Sequence, residues 1–191
     1  MNPITHLLTG WLVANSAELN RRERTVVTLA SVVPDIDGVG LVAELLTRDS
    51  EHPLRWWSDY HHVLGHNLTF GFLVAGTSFL LATKRWKTAL LAFLSFHLHL
   101  VGDLIGGRGP EGYQWPIPYL FPFSNHWQWT WSGQWELNAW PNFLVTGLAL
   151  LLTFYLAWKR GYSPLEMISG SADKAFVVTL RHRFSSPRYQ G

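Results

Sequence analysis

Three long apolar stretches constrain the fold of this chain more than any other feature. Residues 63–83 contain His66 as their only ionisable side chain, and residues 137–158 contain no charged side chain. Residues 88–102 are largely apolar apart from a serine and two histidines, and this stretch can run on to Ile105. Because a helix needs about 20 apolar residues to cross a bilayer, the sequence predicts a membrane-spanning helix at each of the three places.

Two shorter apolar stretches precede them, at residues 4–19 and 25–33, and they predict short helices, the second of which Pro34 ends. Charged residues make up 15% of the chain, against about 25% in a typical soluble domain. We therefore expect an all-α, multi-helix integral membrane bundle over residues 1–160. A polar, basic tail over residues 161–191 is expected to be loosely ordered and able to contact anionic lipids.

The basic residues predict an orientation in the membrane. Twelve of the 15 lie between the first two apolar stretches, in the hairpin before residue 88, after residue 158, or in the tail. Because basic loops stay on the cytoplasmic side, five crossing segments would place the N-terminus outside and the C-terminus in the cytoplasm. A bacterial inner membrane is the expected location. The net charge of +2 gives no support for nucleic-acid binding.

Two pairs of ligand-type residues, each spaced by four, point to a metal centre. They are His62 with His66 and His99 with Asp103. Residues four apart share one face of a helix, and imidazole and carboxylate groups are costly in an apolar setting unless they bind or pair. The predicted orientation brings both pairs to the outer side. Further candidates reach the same side, namely His6, Asp35, Asp37, His61 and His126.

The chain has no cysteine, so any metal must be held by nitrogen and oxygen ligands, which suit zinc or manganese. His61 fits a pair with His66 only if it lies just before the helix, so either His61 or His62 is the expected ligand. A histidine cluster that senses pH, or simple packing, is the alternative. His97 points to another helix face and is expected to pack.

A segment rich in glycine, proline and tryptophan runs from residue 106 to 142 and contains six tryptophans. Tryptophan is enriched at membrane interfaces, so an interfacial belt is one interpretation. An apolar lid or platform over the metal centre is the other.

The order of these motifs resembles that of the membrane-bound metal-dependent hydrolase family, and more remotely that of the helical zinc-dependent phospholipases C. The resemblance covers about residues 1–125. It lies in an early His6, then Pro34-Asp35-Ile36-Asp37, then the histidines between His61 and His66, and then His99-x3-Asp103 before the tryptophan-rich segment.

The resemblance implies a helical fold and a hydrolytic metal site. By position, the family's ligand-type residues correspond to His6, Asp35, His61, His66, His99 and Asp103. Two departures concern the substrate-contacting part of the motif. The family usually reads His-Arg-Gly-x-Thr-His-Ser, where this chain has His62, Gly65 and Asn67 in place of the Arg, Thr and Ser, and it often has His where this chain has Gly38.

The sequence thus favours a metal-dependent hydrolase that acts on a phosphoester or lipid-like substrate. Zinc is the expected ion and manganese the second choice. Asp35 or Asp37 would be a ligand or the general base that works on an activated water. Membrane lipids are the expected partners. The alternative is a non-enzymatic membrane protein that holds a structural or transported metal, or a haem, through its histidines and aspartates.

Overall fold

The structure, a computed structural model, describes residues 1–109 and 114–184. Within these residues the chain forms eight α-helices, two 3₁₀ helices and no β-strand, with only two isolated β-bridges. The α-helices are α1 (Pro3–Ala14), α2 (Arg21–Leu29), α3 (Gly40–Thr47), α4 (Trp56–Tyr60), α5 (Leu68–Leu81), α6 (Arg85–Gly106), α7 (Trp140–Arg160) and α8 (Gly170–Phe184). The predicted all-α class is confirmed, and the architecture is that of a helical membrane protein.

Two helices, α6 with 22 residues and α7 with 21, are long and apolar enough to cross a membrane. A third candidate is the pair formed by α2 and residues Val33–Thr47, which passes the same criterion but is bent by 54°. The bend coincides with a 3₁₀ helix over Val33–Val39. Non-helical backbone at membrane depth is tolerated only where protein buries it or where it lines a cavity, so this break is a place to look for function.

The helix ends follow from the local sequence. The Asn2 side chain accepts a hydrogen bond from the Thr5 amide at the start of α1, and Asn20 forms a reciprocal capping box with Glu23 at the start of α2. At the end of α7, Gly161 adopts φ +83°, the left-handed conformation that a helix C-terminus favours. Basic side chains in the last turn of α7 complement its dipole.

Helices α1 and α6 form the centre of the bundle, because α1 packs against α2, α6 and α7, and α6 packs against α1, α2 and α5. One apolar cluster fills the space between α1, α2 and α6. A second joins Phe96 and Leu100 of α6 to Ile117 of the loop between α6 and α7. The described part of this loop therefore folds over the end of α6.

The structure corrects the prediction for residues 63–83. The helix begins only at Leu68, where the Asn67 side chain caps it, and α5 has 14 residues. His62 and His66 thus lie in the turns before α5 and not on a common helix face. Likewise, α2 ends at Leu29, and Pro34 lies in the first turn of the following 3₁₀ helix. Proline is well tolerated there, because the first amides of a helix have no partner within it.

The tail also differs from the expected loosely ordered segment. Pro164–Met167 forms a 3₁₀ helix, and α8 packs against it and against α7. Val177 and Leu180 of α8 are buried. The contacts explain the difference, since a basic sequence can still be helical when tertiary packing covers one face. Residues 185–191, which include Arg188, lie outside the described residues, and the division at residue 160 stays a prediction.

Candidate metal centre

Three separate elements deliver four potential ligands to one point. His99 and Asp103 come from the last two turns of α6, Asp35 from the 3₁₀ helix after α2, and His66 from the turn before α5. One ligand atom from each of the four lies within 4.8 Å of all the others. The two motifs that the sequence singled out, together with the first aspartate of Pro34-Asp35-Ile36-Asp37, therefore meet in space.

The spacing of the three innermost atoms matches that of a tetrahedral ion. His66 Nε2 and His99 Nε2 are 3.1 Å apart, and Asp103 Oδ2 lies 2.9 Å from His99 Nε2 and 3.4 Å from His66 Nε2. Zinc bonds to nitrogen and oxygen are about 2.0–2.1 Å long, which puts neighbouring ligand atoms of a tetrahedron about 3.3 Å apart. A metal ion can therefore be held without moving these side chains far.

Asp35 closes the fourth side more loosely. Its Oδ1 is 3.5 Å from His99 Nε2 and 3.7 Å from His66 Nε2, and its side chain is 23% exposed. The other three residues are buried. Asp35 therefore marks the side from which a solvent molecule can approach.

Hydrogen bonds at the far ring nitrogens fix the orientation of both imidazoles. His99 Nδ1–H donates to the Ser31 carbonyl at 2.8 Å, and His66 Nδ1–H donates to the Asp37 carboxylate at 3.3 Å. In each neutral ring the remaining nitrogen, Nε2, then carries a lone pair and no proton. This is the arrangement in which metal-binding histidines are usually found, with the second nitrogen donating to a carboxylate or carbonyl.

These contacts leave a small buried site lined by lone pairs, and such a site favours the binding of a cation. Two Nε2 lone pairs face each other beside Asp103 Oδ2, which is buried and has no hydrogen-bond partner of acceptable geometry among the described residues. Burial disfavours a charged His66, but the neighbouring carboxylates of Asp103 and Asp37 outweigh it and raise the pKa of His66. A proton or a metal ion can supply the missing positive charge.

Asp37 supports the centre from outside. Its carboxylate also accepts hydrogen bonds from His61 Nδ1 at 2.8 Å and from the Gly65 amide at 3.2 Å. Glycine is required at position 65, because a Cβ there would lie 2.1 Å from the Pro34 carbonyl oxygen. The close approach of these two loops places Asp37 beneath His66.

His6 lies on the opposite side of Asp103. Its Nε2 is 3.0 Å from Asp103 Oδ1, and its ring centroid is 3.9 Å from that of His99. The amino group of Met1 contacts the same Asp103 oxygen. The early histidine that the sequence brought to this side is thus a neighbour of the centre.

The sequence predicted that His61 or His62 is a metal ligand, but neither belongs to the group of four. His61 stacks on Trp57 with ring centroids 3.7 Å apart. His62 has φ +67°, is 5% exposed, and lies beside Trp115 and His66. Burial lowers the pKa of His62, so the ring is neutral at neutral pH.

Some of the groups that orient the potential ligands could not have been recognised from the sequence. The Ser31 carbonyl orients His99, but a backbone carbonyl is available at every position of a chain. Gly65 had a signal, because a glycine between two histidines indicates a close approach. His97 Nδ1–H donates to the Phe93 carbonyl at 2.8 Å and His97 Nε2 accepts from the Tyr119 hydroxyl at 2.9 Å, which is the packing role expected of this residue.

Different tryptophans of the tryptophan-rich segment fit the two interpretations, an interfacial belt and a cover over the metal centre. Trp127, Trp131 and Trp140 are exposed, as residues of an interfacial belt would be. Trp115 instead lies against the rings of His61 and His62, at 4.8 and 4.7 Å between centroids. Trp115 therefore covers His61 and His62, which lie next to the four potential ligands.

No curated protein and no solved structure matches this chain. A family model described as YdjM inner membrane protein matches residues 1–172, a range that contains both long helices and every residue of the centre. The chain belongs to the YdjM inner membrane protein family.

Proposed function

We propose that this protein is a membrane-bound, metal-dependent hydrolase whose ion is held by His66, His99, Asp103 and Asp35. The observation that carries the proposal is the pair of Nε2 atoms, oriented by hydrogen bonds at the opposite ring nitrogens and 3.1 Å apart, beside an Asp103 oxygen that accepts no hydrogen bond of acceptable geometry from the described residues. Packing alone does not account for such a group, because buried polar atoms without partners cost free energy.

Zinc is the ion that the donor set suits best, and manganese is the second choice. Two imidazoles, two carboxylates and tetrahedral spacing are typical of zinc, whereas manganese prefers more oxygen ligands. A divalent ion here supplies Lewis-acid activation of a water molecule and of the scissile group.

The residues around the ion divide into two roles. Asp35, partly exposed and the most distant of the four, is the fourth ligand or the base that takes a proton from the attacking water. Asp37 is committed to three hydrogen bonds with His61, Gly65 and His66, so its role is to position His66. The sequence named both Asp35 and Asp37 as candidates for the fourth ligand or the general base, and the proposal gives that role to Asp35 alone.

A phosphoester or lipid-like substrate fits the position of the centre. Asp103 precedes the end of α6 by three residues, about 5 Å along the helix axis. A spanning α6 therefore places the centre near the membrane interface, where the ester and phosphoester groups of lipids lie. Membrane lipids are then both the surroundings and the nearest source of substrate.

The first experiment is elemental analysis of the detergent-purified protein beside three variants. His66→Ala and Asp103→Ala remove ligands from different elements, and His126→Ala removes an exposed histidine as the control. We expect about one zinc per chain in the wild type and in His126→Ala, and none in the other two. A folded wild type that takes up no zinc or manganese on reconstitution contradicts the proposal.

The second experiment tests hydrolysis. Zinc-loaded protein is offered short-chain phospholipids and soluble phosphodiesters, and product release is compared with that of Asp35→Asn loaded to the same metal content. We expect turnover by the wild type and at least a hundredfold loss in the variant, the range typical of a lost general base. Stoichiometric zinc with no turnover of any ester would favour a structural or transported ion.

The orientation belongs to the same proposal, with the metal centre outside and the C-terminus in the cytoplasm. The chain has no cysteine, so single cysteines report accessibility without background. Asp49→Cys and Lys174→Cys place thiols at two exposed positions. In whole cells freed of the outer membrane, an impermeant maleimide should label position 49 only, and labelling of position 174 alone would reverse the orientation.

A further inference from the structure

A cleft of about 460 Å³ opens beside the metal centre, and its walls are formed by side chains of α4, of the turn that follows it and of the α6–α7 loop. His61 and His62 form the wall nearest the centre, Trp57 and Trp115 form the sides, and Arg55 and Gln128 lie at the rim. His61 shares the Asp37 carboxylate with His66. One wall of the cleft is therefore separated from the proposed metal by two hydrogen-bonded side chains.

His62 is the unexplained residue of this cleft. The residue is only 5% exposed, yet its Nδ1 has no hydrogen-bond partner among the described residues. Its backbone is held at φ +67°, a conformation that costs free energy for a non-glycine residue and that is found preferentially at functional sites. A buried ring nitrogen without a partner, held by a strained backbone in the wall of a cleft, indicates a ligand that completes its hydrogen bonding.

The rim supplies the charge. The Arg55 side chain is 68% exposed and forms an i,i+4 ion pair with Asp59, which also lines the cleft, but its Nε lies 3.9 Å from the nearest Asp59 oxygen, beyond hydrogen-bond distance. Its five N–H donors are thus available, and their planar arrangement suits the oxygens of a phosphate. The Gln128 amide adds further N–H donors on the same cleft.

The sides are apolar and rigid. The indoles of Trp57 and Trp115 meet edge to face with centroids 5.6 Å apart, and His61 covers one face of Trp57. Such walls accept the hydrocarbon part of an amphipathic molecule while the polar groups bind its head.

From these features we propose that the cleft binds the phosphate group of the substrate, with Arg55 and His62 as its hydrogen-bond donors, and so directs an adjoining ester bond toward the metal centre. The purpose of this binding rests on the proposed function, but the binding itself needs no metal. His62 then acts as a substrate-positioning residue.

The test is calorimetric titration of the full chain in a non-ionic detergent after removal of metal by a chelator. The probes are dihexanoyl phosphatidic acid and inorganic phosphate. Arg55→Gln removes the guanidinium, and His62→Gly removes the ring at a position where glycine accepts the backbone conformation. Arg48→Gln, which changes an arginine paired with Asp49 outside the cleft, is the matched control.

We expect the wild type and Arg48→Gln to bind the short-chain lipid equally, and Arg55→Gln and His62→Gly to bind it about tenfold more weakly, as the loss of one hydrogen bond to a charged group predicts. Weaker binding of inorganic phosphate than of the lipid supports a lipid headgroup as the source. Equal binding of the two supports free phosphate and rules out the lipid.

Binding that survives both cleft variants, or that disappears on removal of the metal, overturns the cleft proposal. Metal content is measured on the same samples. A protein that binds the probe in the cleft but never takes up metal would contradict the proposed function and leave the cleft intact, so the two failures are distinguishable.

Discussion

Both ends of the helical bundle bury charged side chains, but at one end a carboxylate keeps an oxygen that accepts no hydrogen bond from the described residues. At the basic end, Arg24 donates to both oxygens of Glu166 at 2.6 and 2.8 Å and to the Leu19 carbonyl at 2.5 Å, and its guanidinium lies 3.9 Å from the centre of the Tyr162 ring. Nearby, Glu23 accepts hydrogen bonds from three backbone amides. These groups have the partners that buried charges require.

At the opposite end the carboxylates and imidazoles converge on a point without filling it. Asp103 Oδ2 is buried and accepts no hydrogen bond of acceptable geometry from the described residues, and the two Nε2 atoms that face it carry no proton when the rings are neutral. The comparison separates two uses of buried polarity. A cluster that closes on itself stabilises a fold, whereas a cluster that stays open to one more cation is arranged for a ligand.

The largest expected effect on folding comes from breaking the closed cluster, which consists of Arg24, Glu166 and Glu23. Glu166→Gln leaves the Arg24 guanidinium buried without its charge partner, and we expect the free energy of unfolding to fall by about 3–5 kcal/mol. Denaturant unfolding in detergent measures it, with exposed Glu18→Gln as the control. Metal content of the folded fraction should not change. A loss below about 1 kcal/mol would show that the two ends do not differ as described.

A smaller effect is expected when a residue that supports the open cluster of Asp35, His66, His99 and Asp103 is changed. Asp37→Asn keeps the shape of the side chain but removes the charge that orients His66, and we expect metal affinity to fall about 10–100-fold. Competition with a chromophoric chelator gives the affinity, and Asp49→Asn, which is 90% exposed, serves as the control. Complete loss of the metal would instead make Asp37 a ligand.

The open cluster should also respond to pH. Metal can bind only when the imidazoles are deprotonated, and in the metal-free protein the carboxylates of Asp103 and Asp37 raise the pKa of His66 above the ordinary value of a histidine. Protons therefore compete from above that value downward, and we expect the apparent metal affinity to fall by up to about tenfold per pH unit for each proton displaced. Titrations at pH 8, 7 and 6 measure the slope. A flat profile would remove His66 from the ligand set.

The smallest effect is expected at a histidine that belongs to neither cluster. Tyr119→Phe deletes the hydroxyl that lies 2.9 Å from His97 Nε2, and we expect a loss of about 1 kcal/mol in the free energy of unfolding with metal affinity unchanged. Thermal unfolding beside metal titration distinguishes the two readouts. A change in metal affinity would extend the open cluster to the α6–α7 loop.

The long helices α6 and α7 were predictable because a bilayer requires about 20 apolar residues in a row, and this requirement is visible in the sequence. The pair His99 and Asp103 was predictable for the same reason, since helical periodicity puts residues four apart on one face. The membrane-spanning helix expected over residues 63–83 was too long a prediction, because α5 runs only from Leu68 to Leu81 and its 14 residues fall short of the length of a span. An apolar composition does not reveal that Asn67 caps the helix and that the preceding histidines lie in turns.

The sequence by itself determined the helical membrane class and the residue types that could hold a metal, because composition and spacing are properties of the chain. Only the tertiary structure decided which residues converge. His66 and His61 are five residues apart, yet one joins the group of four and the other binds Asp37. That choice depends on the bend after α2, on the Ser31 carbonyl and on the contact of Gly65 with Pro34, and these arise from packing between distant segments.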